Sequence, residues 1–275
     1  MEMIDFLSYS FIQRALITGF FIALLCSFLG FFLVLRRLSL IGDGLAHVTF
    51  GSVAVALVLK TFALYVSIPL VMISALGILR LIERAKLHGD AAIGIVSSIG
   101  IALGILLASL AGGFNIDLFS YLFGNILAIS PEEMTFSILL SGIVFLVIVF
   151  FYHDLLSLTF DEESAKATGI KTRRINTLLF LLTAVTVVLT MKAVGILLTS
   201  ALLILPAVTS LQVSKGFKAS LLISSLVGVL SVIGGIFISF RLNLPTGATI
   251  VMFNFLIFLL VFAYKKQNTK KGMLQ

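Results

Sequence analysis

Residues 91–116 read AAIGIVSSIGIALGILLASLAGGFNI, with no charged side chain from end to end. A helix needs about 20 apolar residues to cross a hydrocarbon core roughly 30 Å thick, and this run is long enough. Outward from it, further charge-free runs occupy residues 62–79, 134–152, 175–191, 193–214, 219–240 and 242–264. Two more candidates carry charge: 11–35, with Arg14 near its start, and 43–60, with Asp43 and His47 at its start. Together these runs predict an all-α polytopic membrane protein with about eight or nine transmembrane helices.

The composition agrees. Of 275 residues, 60% are hydrophobic and 11% charged, with a mean hydropathy of +1.22. Soluble domains carry about 25% charged residues, so the chain needs a bilayer. Its single cysteine, Cys26, lies in an apolar run, which removes disulfide frameworks and thiolate clusters from consideration. Residues 1–10 hold Glu2 and Asp5 and no base, so they lack the basic start of a secretory signal and are expected to stay uncleaved.

The net charge of +7 is explained by topology rather than by nucleic acid. With the N-terminus outside and the C-terminus in the cytoplasm, the inner segments hold Arg36, Arg37, Arg80, Arg84, Lys86, Lys166, Lys171, Arg173, Arg174, Lys215, Lys218, Lys265, Lys266, Lys270 and Lys271. The outer segments hold only Arg14, Lys60, Lys192 and Arg241. That bias marks the cytoplasmic face.

No internal repeat or domain break is visible, so residues 1–275 read as one transmembrane domain. Residues 117–133, DLFSYLFGNILAISPEE, are expected outside as a re-entrant or interfacial segment. Residues 153–174 form the one sizeable polar segment, on the inner side, and the tail 265–275 is expected to be short, cytoplasmic and disordered.

Asp43 and His47 stand four apart within RRLSLIGDGLAHVTFGSVAVAL (36–57), so a helix puts both on one face. Ionisable groups inside a span cost about 2.5–3.5 kcal/mol on insertion scales and usually face a polar pathway. A carboxylate and an imidazole offer O and N ligands to zinc or manganese. The plainer reading makes Asp43 a helix cap and His47 a partner of some carbonyl.

The segment 160–170, FDEESAKATGI, has acids at its start, Lys166 midway and Gly169 at its end. That order suits a short helix with a glycine C-cap. It is either a solvated connector or a docking helix that receives a mechanical stroke. No Gly-x-x-x-x-Gly-Lys-Ser/Thr loop exists in the chain, so ATP hydrolysis would belong to another polypeptide. His88 and His153 fall in polar connections and read as surface residues.

Taken in order, 36–57, 117–133, FDEESAKATGIK (160–171) and MKAVGILLTSALLILPAVTS (191–210) resemble the zinc and manganese group of bacterial ABC-importer permeases. The resemblance covers essentially the whole chain. It implies the cobalamin/siderophore-type (type II) permease fold, and a non-enzymatic homodimer in the bacterial cell membrane, surrounded by lipid. It also implies two cytoplasmic ABC ATPase subunits and an extracytoplasmic metal-binding protein as partners. By the same resemblance Asp43 and His47 coordinate the transported Zn2+ or Mn2+, which is cargo and not a cofactor. Phe160, Asp161, Glu162, Glu163, Ala165, Ala167 and Gly169 would then contact the ATPase.

The stretches Tyr121-Leu122-Phe123-Gly124 and MKAVG look more like zinc permeases, whereas Asn125 suits the manganese side; zinc is the expected ion, with manganese or iron as the alternative. Two competing readings belong to other classes: a gradient-driven secondary transporter using Asp43 and His47 as a proton relay, and a non-catalytic membrane partner.

Overall fold

The computed structural model describes residues 8–110, 121, 124–196 and 199–272, and within these the secondary structure is helical throughout. Four helices run in succession: α1 (Ser10–Leu35), α2 (Ile41–Val58), α3 (Ala63–Glu83) and α4 (Gly89–Leu110). A 3-10 turn, Ile126–Ala128, leads into α5 (Pro131–Phe150). Two short helices follow, α6 (Tyr152–Phe160) and α7 (Glu162–Ala167). The remainder is α8 (Thr172–Ala193), α9 (Thr199–Val213), α10 (Phe217–Leu242) and α11 (Thr246–Gly272).

Among the described residues, eight helices are long and apolar enough to cross a membrane. The ninth expected span, 193–214, is instead the 15-residue α9, about 22 Å at 1.5 Å per residue. The helix cannot begin earlier because the backbone at Gly195 takes φ +95, and that turn lies directly against Gly124. The segment 117–133 falls largely outside the described residues. At its end, Ser130 and Glu133 form a reciprocal capping box, with Pro131 opening α5, so α5 starts three residues before the charge-free run does. The tail is a correction. Residues 265–272 continue α11 as helix rather than ending in disorder, since nothing between Thr246 and Lys271 breaks a helix and the Lys and Gln residues favour one.

Burial separates the helices into an inner group and an outer one. Most of α1, α2 and α8 is buried, whereas α3, α4, α5 and α11 turn much of their surface outward. The outward residues are large and apolar, among them Leu106, Leu146, Phe150 and Leu260. Lipid, not water, is the solvent such a surface needs. Inside, hydroxyls bond back to the carbonyl one turn earlier, as Thr183 does to Leu179 (2.7 Å) and Thr190 to Thr186 (2.7 Å). Such bonds keep polar side chains satisfied without water. The helices α2 and α4 approach backbone to backbone: a Cβ at Gly51 would lie 2.6 Å from the Gly100 carbonyl oxygen, the small-residue contact typical of membrane helices.

Side-chain contacts sort the helix ends onto two faces. On one, Phe217 meets Phe31, Phe32, Tyr152 and Phe160, Arg173 pairs with Glu83, and Lys265 donates to Gln212. On the other, Tyr9 and Phe11 pack on Phe240. The first residues of α1 and the Lys265 end of α11 therefore lie on opposite faces.

Candidate functional site

The α1–α2 turn brings the acidic and imidazole side chains into place. Helix α1 ends in a Schellman arrangement: Leu38 N–H donates to the Leu33 carbonyl (2.8 Å) and Arg37 N–H to that of Val34 (3.1 Å). Arg37 occupies the left-handed position at φ +58, where glycine is the usual residue. The chain then reverses into α2, whose N-cap position is Leu40, without a side-chain cap. Asp43 sits in the first turn, where the helix dipole favours a carboxylate, and is not at the capping position.

His47 lies one turn further along, its Nε2 3.5 Å from Asp43 Oδ2. The Asp43 side chain is 49% exposed and that of His47 24%, so both are accessible while their backbone lies among buried Gly42, Leu45 and Ala46. A third group arrives from elsewhere in the chain: Ser200 Oγ donates toward Asp43 Oδ1 at 3.5 Å. Ser200 is the second residue of α9, so the broken end of that helix, with its partial positive charge, faces the carboxylate. Sequence reasoning missed Ser200. Its signal was the Gly195–Thr199–Ser200 interruption inside an otherwise apolar run.

Among the described residues no three His, Cys, Asp or Glu side chains cluster at metal-binding distance. One chain thus offers an ion one imidazole, one carboxylate and a nearby hydroxyl, fewer strong donors than the usual four of a closed site. His88 and His153 are exposed.

Within residues 160–170 the short helix expected from the acids, Lys166 and Gly169 is present, beginning at Glu162. Phe160 ends α6, 71% exposed yet with its ring 5.6 Å from that of Phe217. Asp161 is the N-cap of α7, accepting from Glu163 N–H (3.0 Å) and Ser164 N–H (3.2 Å). Glu162 pairs with Lys166 at 3.1 Å. Ala165 turns inward and is buried, while Glu163 and Ala167 are exposed. The helix closes on Gly169 at φ +89, with Ile170 N–H on the Ala165 carbonyl (3.1 Å). Beside it lies a groove of about 570 Å³, lined in part by Asp154, Lys171 and Arg174.

The link between the two regions, Arg36, was legible only as a basic residue. Its Nη1 donates to Asn176 Oδ1 (2.6 Å), and its Nη2 lies 3.7 Å from Glu162 Oε2. Burial lowers the guanidinium pKa from its ordinary value and the Glu162 carboxylate opposes that shift.

Residues 8–265 match the ABC 3 transport family. Over 268 residues the chain is 34% identical to the manganese transport system membrane protein MntC of Halalkalibacterium halodurans, covering 98% of this chain and 91% of that one. PsaBC from Streptococcus pneumoniae, solved in complex with Fab, superposes with a TM-score of 0.85 at 34% identity over 94% of each chain. An inward-facing metal-chelate type ABC transporter gives a TM-score of 0.71 at 17% identity, over 92% of this chain and 86% of the other, a likeness of fold alone.

Proposed function

From the premise that the chain belongs to the ABC 3 transport family, we propose that it carries a divalent transition metal ion across the membrane past Asp43 and His47, with manganese as the preferred cargo. That it is a multi-pass permease of a metal ABC transporter follows from the family and its relatives. The observation that supports the ion path is the 3.5 Å Asp43–His47 pair on a half-open face of α2, with Ser200 at its edge.

The preference for manganese over the zinc expected from sequence rests on two supports. The MntC relative is named for manganese, and the oxygen donors of Asp43 and Ser200 outnumber the one imidazole, a donor balance that suits manganese. Zinc is the second reading, because a carboxylate–imidazole pair binds zinc more tightly than manganese in the general affinity order. Family membership favours ATP-driven transport over the gradient-driven alternative.

A second copy of the chain, related by a two-fold axis, would complete the ion's ligands with its own Asp43 and His47. The face bearing Arg36, Lys171, Arg173, Arg174, Lys215 and Lys265 would be cytoplasmic by its positive charge, which puts α7 where a separate ATPase subunit docks. An extracytoplasmic metal-binding protein would deliver the ion to the opposite face. The test is the ATPase activity of the purified permease–ATPase complex with manganese and zinc compared. Stimulation by manganese at lower concentration than by zinc supports the reading; stimulation by neither contradicts it.

A further inference from the structure

Arg36 joins three parts of the molecule that have separate roles. It is the C-cap of α1, with its own N–H bonded to the Phe32 carbonyl (3.1 Å). Its side chain is only 13% exposed, and a guanidinium this buried is retained only with partners. One partner is buried: Asn176, the fifth residue of α8, accepts at 2.6 Å, a short charge-assisted bond. The other is more loosely held. Glu162 is 40% exposed, shares its carboxylate between Lys166 (3.1 Å) and Arg36 (3.7 Å), and belongs to the six-residue α7.

Down the chain, Arg36 is followed by the left-handed Arg37, the short turn to Leu40, and α2 with Asp43 in its first turn. That turn is stiff. Its amides are held by the Schellman bonds to Leu33 and Val34, and Ile41 N–H donates to the Leu38 carbonyl (3.1 Å). A displacement of Glu162 therefore reaches the start of α2 through one side chain and a few constrained residues.

We propose that Arg36 is a positioning residue that transmits movement of α7 to the ion-binding helix α2, with Asn176 as its fixed anchor and Glu162 as the partner that moves. The guanidinium fork suits this role, because its two nitrogens hold both partners at once in a fixed plane. The inference rests on the reading of α7 as the ATPase-docking helix. The long 3.7 Å contact is the one that changes during a cycle, and the 2.6 Å contact persists.

The test uses the permease–ATPase complex reconstituted in liposomes, with metal uptake and ATP hydrolysis measured in the same vesicles. Arg36→Lys keeps the positive charge but loses the fork, and Arg36→Gln removes the charge as well; neither alters the surface of α7. Both variants are expected to retain the ATPase and hydrolyse ATP within about twofold of wild type, while uptake per ATP falls about tenfold, within the usual range of coupling between sites. Should uptake and hydrolysis stay in wild-type ratio in Arg36→Lys and Arg36→Gln, the Arg36–Glu162 pair is a static staple and the inference is overturned. A wild-type complex that fails to hold the ATPase through α7 would overturn the docking reading itself, and the inference with it.

Discussion

Gly30 of α1 lies directly against the Leu203 carbonyl of α9, so close that a Cβ at Gly30 would occupy the space of the carbonyl oxygen. The same Leu203 reaches Gly42 of α2 with its side chain, where a Cβ would meet Cδ1 at 2.5 Å. Leu203 thus seats the broken helix α9 against both neighbours of the Asp43 turn. The two contacts differ in kind, since a backbone carbonyl cannot retreat and a leucine methyl can. Gly30→Ala should destabilise the folded permease by about 3 kcal/mol and Gly42→Ala by about 1 kcal/mol. Thermal unfolding in detergent reads the difference. Equal losses in the two variants would mean that α9 is not held at Leu203.

Helix α7, proposed above as the ATPase-docking helix, depends on its N-cap. Asp161 satisfies the Glu163 and Ser164 amides, and loss of such a cap costs about 1 kcal/mol. In a helix of only six residues that loss is enough to unwind it. Asp161→Ala should leave permease abundance unchanged while weakening capture of the ATPase, and Asp161→Ser should restore it. Undiminished capture by Asp161→Ala would remove α7 from the interface. Glu163→Lys, on the exposed side, should weaken capture without unwinding the helix.

The distribution of basic residues fixes the expected orientation. Thr61 and Lys266 are both exposed, on opposite faces, and the sole cysteine, Cys26, is buried and contributes little background. A membrane-impermeant maleimide should label Thr61→Cys in intact cells and Lys266→Cys only after permeabilisation. The reverse pattern would invert the membrane topology.

The spans were legible because lipid imposes a simple rule on them: residues 91–116 and most of their counterparts carry little or no charge over the length a bilayer requires. Gly169 was legible as a helix cap for a similar reason, since a left-handed turn favours that residue. The shortening of 193–214 to α9 was not, because the Gly195 turn is fixed by its contact with Gly124, distant in sequence. Ser200 and Arg36 escaped notice for the same cause. A serine in an apolar helix and an arginine at a helix end are ordinary until α9 and α7 bring Asp43 and Glu162 to them.

The central claim is that Asp43 and His47 bind the transported ion, and uptake of radioactive manganese and zinc by correctly inserted variants tests it most directly. Asp43→Asn keeps the shape of the side chain and removes the negative charge that compensates a dication; His47→Ala removes the nitrogen donor and makes the helix more apolar. Both should reach the membrane at wild-type abundance, and uptake of the preferred ion should fall at least about tenfold in each, as loss of a direct ligand requires. Manganese and zinc uptake at wild-type rates by Asp43→Asn and His47→Ala would contradict the account.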